Sequence, residues 1–185
     1  MSLRLIRAAS AAENSDDLHL SRLLVLLRAA GGRKNTKTVE GITKLAKLDF
    51  LLRYPTCLER ALGQIQDHPE RAQVQPHERT SIESKMIRFR YGPWDGRYRR
   101  WIALLMAKGL AVTYVQGNTV HIGLTERGIA IADQVRDLPE FEDIDARSQV
   151  IASKFGGFSA MGIKAFVYQT FPELLSMKWG EDIEL

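Results

Sequence analysis

Between Lys85 and Arg100 the chain carries six cations, Lys85, Arg88, Arg90, Arg97, Arg99 and Arg100, within sixteen residues, against the single acid Asp95. Phe89, Tyr91, Trp94 and Tyr98 are interleaved with them. Guanidinium groups hold phosphate or carboxylate through paired, directional hydrogen bonds. The chemistry of this segment is therefore anion recognition, and charge alone does not choose between a nucleic-acid backbone and an acidic protein surface. Lys34, Lys37, Lys44 and Lys47 extend the basic surface if the helix around residue 45 lies nearby. The plainer reading of Arg88-Phe89-Arg90-Tyr91 is a strand whose arginine face is simply solvated.

Bond-breaking chemistry has little to build on. Gly31-Gly32-Arg33-Lys34-Asn35-Thr36 holds glycines, a lysine and a threonine, but its spacing is not that of a phosphate-binding loop and it follows a helix. Cys57 has no histidine beside it and reads as a small buried hydrophobe. His19, His68, His77 and His121 are scattered, with no metal-ligand spacing. The expectation is no catalytic residue, no metal and no cofactor. A hydrolase would need a site assembled from distant residues.

The elements that must position the basic segment follow from periodicity and caps. Asp16 or Asp17 caps a first helix with Leu20, Leu23, Leu24 and Leu27 on one stripe, ended by Gly31-Gly32. A second helix, Val39 to Arg53, places Ile42, Leu45, Ala46, Phe50 and Leu52 on an apolar face and Lys44 and Lys47 opposite. Asp49 falls toward the apolar side, where a lone charge is costly, and an Asp49–Arg53 pair is the expected remedy. Thr56 to Gln64 reads as a short helix and residues 66–80 as a polar loop insertion. Ser81 to Tyr91 starts helical and finishes extended, and Gly92 to Gly96 reads as a turn, with Asp95 placed to cap a helix from Arg97 to Lys108. Trp101 sits on that helix's apolar stripe and belongs to the core, while Trp94 braces the loop. Two β-rich runs flank Gln116-Gly117-Asn118 as a hairpin, and Thr125 caps the helix from Glu126 to Arg136. Further helices are expected at Phe141 to Lys154 and Ser159 to Thr170.

This order predicts a mainly α fold with a small β-hairpin: a winged-helix-like domain over residues 16–136 plus a C-terminal helical extension, residues 137–185, after a flexible leader at 1–15. The leader carries Arg4 and Arg7 without an acid and lacks a secretory apolar run; a transit peptide is its alternative reading. The C-terminal region holds nine acids and four bases, a balance of −5, so residues 1–136 carry +9 within the net charge of +4. A basic body suits an anionic partner and an acidic tail a protein one. One cysteine and no run long enough to span a bilayer place the chain in the cytoplasm, away from membranes.

Three stretches carry a family resemblance. They are Gly41-Ile42-Thr43-Lys44-Leu45-Ala46-Lys47-Leu48-Asp49-Phe50-Leu51-Leu52-Arg53-Tyr54-Pro55; Met86 to Asp95 with its Tyr91-Gly92-Pro93-Trp94-Asp95 core, followed by the wing and Leu124-Thr125-x-x-Gly128; and Phe155-Gly156-x-x-Ser159 with Lys164, Tyr168, Phe171-Pro172-Glu173 and Trp179-Gly180. Together they resemble the middle component of bacterial ABC-three-component systems, which include the accessory subunit of Lamassu antiphage defence. The resemblance implies a non-catalytic subunit between an SMC-like coiled-coil ATPase and an effector, often a nuclease. It implies a structural or interface role for Arg88, Arg90, Tyr91, Gly92, Pro93, Trp94 and Asp95, docking protein, double-stranded DNA, or both. A role for Arg97, Arg99 and Arg100 in binding is inferred from charge alone. The alternative is a free winged-helix transcription regulator that binds duplex DNA as a dimer.

Overall fold

Ser15 precedes α1 (Asp16–Gly31), a helix buried on nearly every side: Leu20, Leu23, Leu24, Val25, Leu26 and Leu27 are all in the core. The computed structural model describes residues 15–74 and 86–183. The leader up to residue 14, the part of the loop insertion beyond residue 74, His77 and Lys85 lie outside these. Gly32 closes α1 at φ 71°, in the left-handed region that the expected Gly31-Gly32 stop requires. The acidic cap is not formed as expected. Asp16 instead accepts from Trp101 Nε1 at 3.1 Å and pairs with Arg100, because a fixed indole N–H in reach needs an acceptor.

Val39–Glu40 is a short strand, β1, and not the start of the second helix; α2 begins at Ile42 and ends at Arg53. The strand is captured because the hairpin of β4 (Ala111–Gln116) and β5 (Thr119–Leu124) offers an open edge, pairing Val39 with Ile122 and Glu40 with His121. The three strands form an antiparallel sheet in the order β1-β5-β4. Gly117 makes the hairpin turn at φ 60°, as the Gln116-Gly117-Asn118 chemistry requires. With α4 (Tyr98–Ala107) before the hairpin and α5 (Glu126–Arg136) after it, the connectivity is that of a winged helix within a mainly helical molecule.

Two features depart from that plan. Between α2 and α4 the chain inserts α3 (Pro55–Gln64), a short 3-10 turn (Glu70–Ala72) and a second hairpin, β2 (Ile87–Phe89) with β3 (Gly92–Trp94). The expected turn at Gly92 to Gly96 is thus largely a strand: Arg88 sits opposite Pro93 and Phe89 opposite Gly92. Proline is tolerated there because β3 has only one strand partner.

The C-terminal helices α6 (Glu142–Phe155), α7 (Ala160–Thr170) and α8 (Glu173–Ser176) are built into the same core. Ile151, Phe155, Ile163, Val167, Phe171 and Leu174 join Leu45, Phe50 and Trp101 in one buried cluster. α6 packs on α1 and α2, and α7 on α2 and α3. The chain's end then lies along β2: Arg88 N donates to Glu181 O at 2.8 Å and Ile183 N to Met86 O at 2.8 Å. Among the described residues, no single helix is long and apolar enough to cross a membrane.

The joint between wing and α5 depends on one glycine. Thr125 Oγ1 accepts from Gly128 N at 3.0 Å and donates to Gly109 O at 2.7 Å. A Cβ on Gly128 would lie 1.8 Å from the Leu110 carbonyl oxygen, backbone that cannot step aside cheaply. Gly128→Ala is expected to lower unfolding free energy by about 1–3 kcal/mol, the usual cost of overpacking. The denaturation midpoint at unchanged slope measures it.

Candidate functional site

Asp49 explains why the basic, aromatic segment stands where it does. Its carboxylate is fully buried and bound from two other helices: Arg22 Nε at 2.7 Å, Arg22 Nη2 at 3.1 Å and Tyr98 Oη at 2.6 Å. Burial alone would raise its pKa; the Arg22 charge and hydrogen bonds, helped by Arg53 and Tyr98, hold it below the ordinary value. Burial and the Asp49 charge push the Tyr98 phenol well up, so it stays a donor. The expected local pair with Arg53 is displaced by this longer-range set. Arg53 Nη1 donates instead to Asp95 at 3.1 Å, and acts on Asp49 through its charge.

Asp95 is the second anchor. It accepts from Arg53, from Arg97 Nε at 3.0 Å and Nη2 at 2.8 Å, and from Arg97 N at 3.0 Å. Burial opposes ionisation, but the Arg97 hydrogen bonds and the Arg53 and Arg97 charges bring its pKa down to about 2. It acts from two residues before the capping place, since α4 starts at Tyr98 with Arg97 as its cap residue. The Asp95 and Asp49 contacts together fix the end of the β2–β3 hairpin and the start of α4 against α2.

The basic residues then divide. Lys44 and Lys47, expected on a solvated face, are buried, as is every residue from Lys44 to Arg53, because α2 runs through the centre of the molecule against α6, α7 and β3. Lys47, 1% exposed, donates to Pro93 O at 3.0 Å. Burial first, then the Lys164 and Arg88 charges, lower its pKa to about 7. Lys44 is also lowered by burial, with Glu40 opposing. Arg88 is buried too: Nε donates to Leu174 O at 2.6 Å, Nη1 to Phe89 O, and its guanidinium lies over the Tyr168 ring. The strand alternation is correct but inverted, since Arg88 faces inward and Phe89 faces out. Arg97 is engaged with Asp95 and stacks over Trp101 at 4.8 Å; Arg100 is exposed but held by Asp16. Arg90 and Arg99 are exposed, with no carboxylate partner among the described residues.

The motif residues are held from behind by the core. Gly92 adopts φ 100°, and a Cβ there would press on Lys47 Cε at 3.2 Å. Pro93 is buried, and half-buried Trp94 packs edge-on to Tyr98. Trp101 is fully buried, as its stripe predicts, against His19 and Tyr98.

Two surfaces were missed. The wing is apolar and exposed: Val112, Tyr114, Val115 (69%) and Val120 face outward, and Met106 of α4 is exposed nearby through a Thr113 contact. The signal was present, since residues 111–124 contain no lysine or arginine. A polar cleft of about 1250 Å³ also opens beside β1, lined by Arg33, Lys37, Glu40, Lys44, His121 and Ser153 among others; no sequence signal joins those segments. No cluster of His, Cys, Asp or Glu among the described residues could hold a metal. The Cys57 thiol is buried and pushed up to about 12, chiefly by that burial. No family model, curated protein or solved structure matches the chain.

Asp49→Ala should destabilise the protein by about 3–5 kcal/mol, because it leaves Arg22 buried without its counter-charge. Chemical denaturation measures the loss, and Arg22→Met combined with Asp49→Leu should recover part of it. Lys47 predicts an alkaline gain. Unfolded, it titrates near 10.5; folded, near 7. Between those values the unfolded chain binds more protons, so stability from this group rises with pH and is flat below about 7. The stability difference between wild type and Lys47→Met, followed by denaturation from pH 6 to 10, should carry that rise.

Proposed function

We propose that this chain is a non-catalytic docking subunit of a multiprotein assembly, bridging an SMC-like ABC ATPase and an effector in antiphage defence. The family reading rests on the motif resemblance. The docking reading rests on one observation, the wing. A wing that grips duplex DNA needs cations to meet phosphates. This one offers none between residues 111 and 124, and exposes Val112, Tyr114, Val115 and Val120. Val115 and Val120 stand opposite each other on one face and Val112 and Tyr114 lie on the other, and such exposed apolar side chains suit contact with protein. Stacking of Tyr114 on His121 (4.9 Å, 5° between planes) stiffens it, which limits the entropy lost on binding.

The regulator reading keeps one supporting feature. Arg99 and Arg100 project from the start of α4, the helix that precedes the wing and would enter a major groove. With Arg100 paired to Asp16, this leaves little free charge for phosphate contacts.

Co-expression with the products of neighbouring genes tests both readings. A stable complex with a coiled-coil ATPase is expected. Val115→Glu with Val120→Glu should weaken it at least about tenfold while shifting stability by no more than about 0.5 kcal/mol, as surface changes do. Arg99→Glu with Arg100→Glu should leave it assembled. Retention of the complex by the wing variant removes the docking reading. Sequence-specific duplex binding lost in the arginine variant would establish the regulator instead. Arg97 is unsuitable for this test because it helps hold Asp95.

A further inference from the structure

We propose that the outer face of the β2–β3 hairpin, together with the Trp179 turn, is a platform for single-stranded DNA. Inward anchoring of Arg88 on the Leu174 carbonyl forces its neighbour Phe89 outward. Phe89 lies at the middle of three rings: Trp94 at 6.2 Å, with 28° between planes, and Trp179 at 6.2 Å. Trp179 is 66% exposed, Phe89 42% and Tyr91 43%, so flat aromatic surface is presented to solvent along one edge of the molecule. The turn carrying Trp179 is fixed to the hairpin by Gly180 N donating to Arg88 O at 2.7 Å.

Positive charge stands at the turn of the same hairpin. Arg90 lies over Tyr91 at 5.3 Å and Lys164 approaches the same ring at 4.9 Å. Neither has a carboxylate partner among the described residues, and exposed Lys178 adjoins Trp179. The acids nearby are Glu181, whose carboxylate accepts from Lys178 N at 2.7 Å, and exposed Asp182. Beneath the hairpin, buried Arg88 adds further positive charge.

An apolar protein partner would use the rings and leave these cations unmatched. A duplex would match the cations but keep its bases stacked inside. An unpaired strand supplies bases for the exposed surfaces of Trp179 and Phe89 and phosphates for the nearby cations, the combination on which sequence-tolerant single-strand binding rests. A deoxyribose backbone meets these requirements. The platform and the wing are separate surfaces, and this inference does not depend on the wing's role.

The test uses the full chain and a labelled oligothymidylate of roughly 16 nucleotides, followed by fluorescence anisotropy and tryptophan quenching. The expected result is tighter binding than to a duplex of equal length. Trp179→Ala should weaken it about 5- to 150-fold and remove part of the quenching. Arg90→Gln with Lys164→Gln should lower the log–log salt slope by about 1.4. Val115→Glu with Val120→Glu should bind the oligonucleotide as wild type does, which separates this result from the fate of the docking reading. Equal or tighter duplex binding, or unchanged binding by Trp179→Ala, overturns the proposal. So does oligouridylate binding more than tenfold tighter, which reassigns the face to RNA. Loss of a co-purifying protein from Trp179→Ala with no oligonucleotide binding by wild type also overturns it, and makes the face a protein interface.

Discussion

A single buried carboxylate organises this molecule. Asp49 sits on the central helix α2 without solvent access, and Arg22 from α1 and Tyr98 from α4 converge on it. A charge in that position is tolerable only if its partners are all in place. The three helices of the winged-helix unit are therefore held in one mutual arrangement by electrostatics as well as by apolar packing. Apolar contacts among leucines would accept small shifts of one helix along another; a bidentate guanidinium and a 2.6 Å phenol contact do not.

The same constraint extends to the surface. Arg53, one turn beyond Asp49, reaches Asp95, and Asp95 in turn gathers Arg97. The hairpin that carries the Tyr91-Gly92-Pro93-Trp94 motif is consequently fastened to the core at both its ends, by Asp95 on one side and by Arg88 and the returning C-terminus on the other. Much of the segment's positive charge is used in this fastening. What remains for a partner is a smaller set of cations, exposed Arg90 and Arg99 and half-buried Lys164, together with aromatic rings that the inward arginine displaced. The wing, at another edge, has the opposite character, apolar and without lysine or arginine. The molecule thus carries two surfaces of different chemistry.

Much of the architecture was legible. The stop at Gly32, the Gly117 turn and the Thr125 cap are local events, governed by backbone sterics and by side chains a few residues away. Trp101 was assigned to the core from helical periodicity, and the periodicity held because α4 has one buried face. Periodicity misled at α2 for the converse reason: a helix enclosed on all sides has no solvent face, so Lys44 and Lys47 are carried inward with their neighbours. At Val39–Glu40 the outcome depended on an open sheet edge supplied by residues more than eighty positions later. Ser159 shows the local rule again, accepting from Gly162 N at 3.0 Å at the head of α7.

By itself the sequence determined most helix and turn ends, though not the start of α2 or the strand at Gly92–Trp94, and it determined that the fold is mainly α with a small β component and that cations and rings cluster before the wing. These follow from short-range sterics, capping and hydrophobic spacing, which a chain carries wherever it folds. Only the tertiary structure decided which arginines face inward, which carboxylate each one meets, and which rings are left in water. Partner choice among like-charged side chains depends on distances between segments far apart in sequence, and on the steep cost of leaving any buried charge unmatched.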